Sequence, residues 1–400
     1  MYSVIAIYLL AYVVPAIVLD VLQLRYIKSH ANKEPVILDR QDYKAAAKYA
    51  LLSRKISILE HLWKALILVA WLSFGISYLL SALSTLGLPA SIWLDLSALV
   101  CFMGINALLD LPFGLASRRL DRAFGFNKQS LGLFFADFAK GIVLGGLMLI
   151  PLFGLLLWIM SSSGLWWIAG ALMFFSFIIL MQLIYPTLIA PIFNRFTPLQ
   201  DEALKHRIHL LLQKVGFKSS GIFVMDASRR DGRLNAYFGG LGRSKRVVLF
   251  DTLLDKISQD GLIAILGHEL GHFKHGDILR NLALGGVLVF LFFALTGLCC
   301  KDLCYYMGLE GTCATVIMVS LLLLPAFGFF IQPLIGYFSR RAEYKADEFG
   351  ASCVSKKALS EALLRLVNEN KTFPHSHPAY VFFYFSHPPL IDRLRALEDL

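Results

Sequence analysis

The 400-residue sequence predicts a mainly α, polytopic integral-membrane protein, and three observations carry that reading. Hydrophobic residues make up 57% of the chain and charged residues only 16%, with a mean hydropathy of +0.64, whereas soluble domains approach a quarter charged. Apolar runs of about 20 residues, enough to cross roughly 30 Å of hydrocarbon as a helix, occur near 2–24, 65–86, 97–115, 141–160, 165–190, 281–300 and 314–337. Of the 38 Lys and Arg residues, all but Lys64 and Lys301 fall in 25–61, 116–140, 191–280 and 338–400, the segments that seven spans place on one side. The positive-inside rule then puts the amino terminus outside and the carboxyl terminus in the cytoplasm. Topology, rather than nucleic-acid binding, thus accounts for the net charge of +10.

Taken in order, the first run is long, lacks a basic leading segment, contains Asp20 and has no small-residue cleavage site, so it reads as a retained helix rather than a signal peptide. The third run is interrupted by Asp110 and Pro112. Cys299, Cys300, Cys304 and Cys313 cluster around the short outside loop and read as inert apolar thiols, with a disulfide as the alternative. Four regions follow: 1–190 with spans one to five and their cytoplasmic loops, 191–280 as a water-facing cytoplasmic domain, 281–337 with spans six and seven, and 338–400 as a cytoplasmic carboxyl-terminal segment. Within 191–280, Asp201 to Val215 has helical periodicity ending at Gly216. Ile222 to Met225 and Arg246 to Phe250 read as strands of a small sheet with a hairpin, turned at Gly239-Gly240-Leu241-Gly242. Gly261 to Lys274 returns to helical spacing.

That last helix carries His268-Glu269-Leu270-Gly271-His272, an H-E-x-x-H pattern. The i, i+4 spacing puts both imidazoles on one helix face, pre-aligned as zinc ligands, with Glu269 beside the metal as the base that takes a proton from the attacking water. Chance would produce the pattern somewhere in a chain of this length on the order of one time in a hundred. A catalytic zinc needs a third protein ligand and an open position. Glu343 and Asp347, again i and i+4, suit this: Glu343 reaches the metal and Asp347 supports a ligand histidine from behind. The competing readings are a solvated charged face for Glu343, and His275 as a rival ligand. Asn235 and Ala236 sit where an edge strand could bind extended peptide. His387 and Arg393, after Ser386, offer donors for an oxyanion.

Together these residues resemble the integral-membrane type I CAAX prenyl proteases, the a-factor-converting zinc metalloproteases. The resemblance runs through NAYFGGLGRSKRVVLFDTLL (235–254), LGHELGHFK (266–274), RRAEYKADEF (340–349) and FSHPPLIDRLRAL (385–397), in the family's order. It implies seven helices around a water-filled chamber, capped by an H-E-x-x-H zinc metalloprotease domain. It also implies one Zn2+ per chain, a peptide or prenylated peptide as substrate, and membrane lipid around the spans. The ligands would be His268, His272 and Glu343, with Glu269, His387 and Arg393 catalytic. Arg233 and Leu234 replace the His-Ser pair of eukaryotic members, which points to a prokaryotic relative. The membrane would then be the bacterial inner membrane, or the endoplasmic reticulum for a eukaryotic chain, with the site facing the cytoplasm. Two other readings stand beside this one: a quality-control metalloprotease acting on unprenylated peptides, and a transporter or channel using Asn106 and Asp110.

Overall fold

The computed structural model describes residues 1–87, 91–240 and 245–399. Five long apolar helices come first: α1 (Tyr2–His30), α2 (Arg40–Thr85), α3 (Ile92–Ala123), α4 (Leu131–Ser162) and α5 (Trp166–Phe193). Pro112 is absorbed inside α3 without ending it. A four-stranded sheet and two helices follow: β1 (Phe196–Pro198), α6 (Glu202–Val215), β2 (Ile222–Met225), β3 (Ala236–Gly239), β4 (Arg246–Phe250) and α7 (Gln259–Lys274). The chain then forms α8 (Asp277–Tyr306) and α9 (Cys313–Cys353), also long and apolar enough to cross a membrane. It closes with α10 (Lys356–Glu369), α11 (Pro378–Tyr384) and α12 (Leu390–Asp399). Among the described residues, seven helices therefore qualify as spans. Each apolar run seen in the sequence lies, to within a residue, inside one of them.

The helices are longer than the runs, because apolarity marks where a helix meets lipid and not where its hydrogen bonds stop. At 1.5 Å per residue, the 41-residue α9 is about 62 Å long, roughly twice the hydrocarbon thickness. Its carboxyl-terminal half therefore leaves the apolar layer as one rigid rod and carries Glu343 and Asp347 with it. α2 likewise begins at Arg40, well before its apolar part, in a segment the sequence presents as charged.

The sheet order is β1-β2-β4-β3, with β2 and β4 parallel and β3 antiparallel to β4 at the edge. The expected strands form, and the hairpin joins β3 to β4. Leu241 and Gly242, in the expected turn, lie outside the described residues. Val247, Val248 and Leu249 of β4 are fully buried, so the central strand has packing on both faces. Val247 and Leu249 join a core with Ile208 of α6 and Leu262, Leu266 and Leu270 of α7. Asp201 caps α6 by accepting from the Leu204 N–H, and Gly216, at φ +67°, ends it in the left-handed region, as the sequence indicated. Within the spans, a separate core gathers Leu68, Leu72, Ile76, Leu99 and Leu157. All six cysteines are unpaired.

Candidate metal centre

α7 is buried nearly all round from Gly261 to Gly271, the signature of a core helix rather than a surface one. Its contact with α9 is backbone to backbone. A Cβ on Gly271 would lie 2.9 Å from Ala346 Cα, and a Cβ on Gly350 would lie 2.8 Å from the Ala264 carbonyl oxygen. Only small residues allow such an approach. The close crossing lays the Glu343–Asp347 face of α9 directly on the two imidazoles of α7.

His268 Nε2 lies 3.5 Å from Glu343 Oε2, and His272 Nε2 lies 3.2 Å from Glu343 Oε1. These three residues form the one cluster among the described residues whose donor atoms all lie within 4.8 Å of one another. The donors fit a tetrahedral metal: with ligand distances of 2.0–2.1 Å, neighbouring donors should stand about 3.3 Å apart. The opposite ring nitrogens are fixed by carboxylates, His268 Nδ1 by Asp347 at 2.9 Å and His272 Nδ1 by Asp277 at 2.8 Å. Each ring thus donates its Nδ1 hydrogen to the carboxylate behind it, which leaves Nε2 facing Glu343. Glu343 is 2% exposed, and its Oε2 is buried with no hydrogen-bond donor, an orphaned anion that a cation would satisfy.

The electrostatics agree. Burial works against a charged His272, yet the Glu343 and Asp277 carboxylates push its pKa up to about 9. Burial also raises Glu343 and Asp347, but the facing histidines and Arg393 hold both below the ordinary carboxylate range. The pocket favours positive charge at the point where the donors meet. Glu269 lies between the two histidines on the same helix; burial raises its pKa, opposed by His268 and His272 and reinforced by Glu343.

Arg393 is buried and grips Asp347 through Nε at 2.8 Å and Nη2 at 2.6 Å, with Nη1 3.5 Å from Glu343. His387 places Nε2 3.3 Å from Glu343 Oε1 and keeps Nδ1 against the Ser386 hydroxyl at 2.8 Å. Asn235 is exposed just before β3, where its Oδ1 accepts from the Ala236 N–H, and β3 packs against α7 as an edge strand. His275 is exposed beyond the end of α7 and takes no part in the cluster.

Asp277 was not among the residues that the sequence singled out. Gly276, at φ +72°, reverses the chain after α7 and swings Asp277 back onto His272. A carboxylate five residues beyond a histidine of the H-E-x-x-H pattern, just after a glycine, is the signal that marks it. Replacing Asp277 by Ala should lower metal affinity roughly 10- to 100-fold, the usual cost of losing a carboxylate behind a ligand histidine. Competition with a chromophoric chelator measures it, and unchanged affinity would remove Asp277 from the site.

A family model described as peptidase family M48 matches residues 198–400, and one described as the CAAX prenyl protease N-terminal region with five membrane helices matches residues 23–195. The chain is 34% identical over 308 residues to the CAAX prenyl protease 1 homolog of Oryza sativa, covering 74% of this chain and 71% of that protein. It is 34% identical over 328 residues to CAAX prenyl protease 1 of Saccharomyces cerevisiae, covering 75% and 72%. The crystal structure of S. mikatae Ste24p superposes with a TM-score of 0.88 at 28% identity, covering 99% of this chain and 98% of that one.

Proposed function

We propose, because the chain belongs to peptidase family M48, that it is a membrane-embedded zinc endopeptidase that removes the three carboxyl-terminal residues of prenylated, CAAX-type substrates. The observation that carries this reading is the convergence of His268 Nε2, His272 Nε2 and the Glu343 carboxylate, with Glu269 next to His268 on the same helix and within the field of all three. One zinc per chain, held by those three residues, would supply Lewis acidity to the scissile carbonyl and acidify the attacking water.

The rest of the chemistry belongs to side chains. Glu269 takes the proton from water and returns it to the leaving amine; burial raises its pKa above the ordinary carboxylate range, the direction that suits a group that must donate as well as accept. Asp347 and Asp277 keep the ligand rings in one tautomer. Asn235 and Ala236, at the start of the edge strand β3, receive the peptide backbone by strand addition. The sequence pairs His387 and Arg393 as oxyanion donors, but the fork of Arg393 is already occupied by Asp347. We therefore assign oxyanion stabilisation to the more exposed His387, and to Arg393 the positioning of Asp347 and Glu343.

Prenylated substrate poses a further requirement, since hydrolysis needs water while a lipid chain favours the bilayer by about 0.8 kcal/mol per buried methylene. A water-filled chamber between the spans meets both needs. It is supported by charged groups at or within the apolar parts of two helices: the exposed Lys64 with the half-buried Glu60 where the apolar part of α2 begins, and the exposed Asp110 inside that of α3. The charge asymmetry supports a cytoplasmic placement of the site. A farnesylated peptide ending in Cys-a-a-X should be cut after the cysteine with a lower KM than its unprenylated twin. Steady-state kinetics on the matched pair, in detergent and in liposomes with products identified by mass, checks this. Equal kcat/KM values in both media would leave a general peptidase without prenyl recognition.

A further inference from the structure

A backbone pairing site at the start of the peptide-binding edge is already occupied by a side chain. The Arg233 carbonyl accepts from Thr252 Oγ1 at 2.9 Å, and the Asn235 carbonyl accepts from the Phe250 N–H at 3.1 Å, so residues 233 and 235 turn their polar groups toward the β4 side. Strand alternation then turns those of Leu234, Ala236 and Phe238 outward, onto the free edge where an added strand would pair. At Leu234 both groups are taken: its N–H donates to Asn370 Oδ1 at 2.9 Å, and its carbonyl accepts from Asn370 Nδ2 at 3.4 Å. The Asn370 carboxamide thus imitates one residue of a neighbouring strand.

Asn370 also stands in the wall of a cavity of about 490 Å³ shared with Thr372, Ser376, His387 and Arg393, within the size range of ligand sites. The side chain that plugs the edge and the groups beside the metal cluster therefore line one space.

We propose that Asn370 is a specificity-determining residue that closes one end of the peptide-binding edge, so that a substrate pairs with β3 only from the Ala236 carbonyl onward, the Ala236 N–H being held by Asn235 Oδ1, and its length on that side of the scissile bond is limited. The inference rests on the peptide-binding role proposed above for β3. Displacing Asn370 would cost a longer peptide the pairing at Leu234 and crowd the cavity, whereas a peptide of the right length never reaches it.

The test uses full-length zinc-loaded protein and a nested set of farnesylated CAAX peptides, lengthened one residue at a time at either end. The wild type should disfavour extension at one end by about tenfold or more in kcat/KM, a ratio within reach of a shaped pocket. Asn370→Ala should flatten that dependence at the same end while leaving the other end and the zinc content unchanged. Asn370→Asp retains the acceptor for the Leu234 N–H, so it should keep most of the discrimination and separates lost closure from lost folding. An Asn370→Ala enzyme whose rates fall equally on every peptide, or a wild type indifferent to length at both ends, would overturn the inference while the peptidase reading stands. A wild type that cuts none of the peptides would overturn both.

Discussion

Replacing Glu269 by Gln is expected to lower kcat by about 100- to 10,000-fold, the range a positioned general base supplies, while zinc stays near one per chain. The amide keeps the shape of the side chain but cannot take a proton from water. Both imidazoles and Glu343 are untouched, so the metal should remain. The two readouts must be taken together, because a fall in activity with loss of zinc would report a damaged site rather than a missing base. A variant cutting at a tenth of the parent rate or faster would show that another group activates the water.

Replacing Glu343 by Ala should have the opposite signature, with zinc lost first and activity as a consequence. Glu343 is the anion that His268, His272, His387 and Arg393 all face. Without it, the cluster loses one of three donors and the Arg393 guanidinium is left facing the rings with no anion between them, which repels a cation as well as failing to ligate it. The loss of affinity should therefore exceed the roughly 10- to 100-fold expected for Asp277→Ala, which removes only a supporting partner. Equilibrium dialysis against buffered zinc gives the ranking, and a Glu343→Ala protein that binds zinc as the parent does would move the third ligand elsewhere, His275 first.

The seven spans were legible because lipid demands long apolar helices, a signal strong in any single sequence. The two histidines at helical spacing were legible for the same kind of reason: i and i+4 is a statement about one helix. What a local pattern does not hold is the crossing of α7 over α9. That geometry depends on Gly267, Gly271, Ala346 and Gly350 allowing two backbones to touch, and it decides that Glu343 reaches the two Nε2 atoms while Asp347 stops behind His268. The spacing of small residues was present in the sequence but carries meaning only once the partner helix is known. Arg393 shows the limit from another side. Its proximity to His387 in the chain suggested a shared task, yet His387 lies in the segment before α12 and is exposed, while Arg393, on the first turn of α12, faces the buried Asp347 carboxylate. Asn370 had no sequence signal, because a side chain that imitates a strand is recognisable only beside the strand it plugs.

The most direct test of the account is the position of the metal itself. Crystals of the zinc-loaded protein, measured on both sides of the zinc absorption edge, should show a single anomalous peak between His268 Nε2, His272 Nε2 and the Glu343 carboxylate, with Glu269 beside it and not bound to it. A peak ligated by His275 or by Glu269, or no peak at the cluster in protein that still cuts peptide, would contradict it.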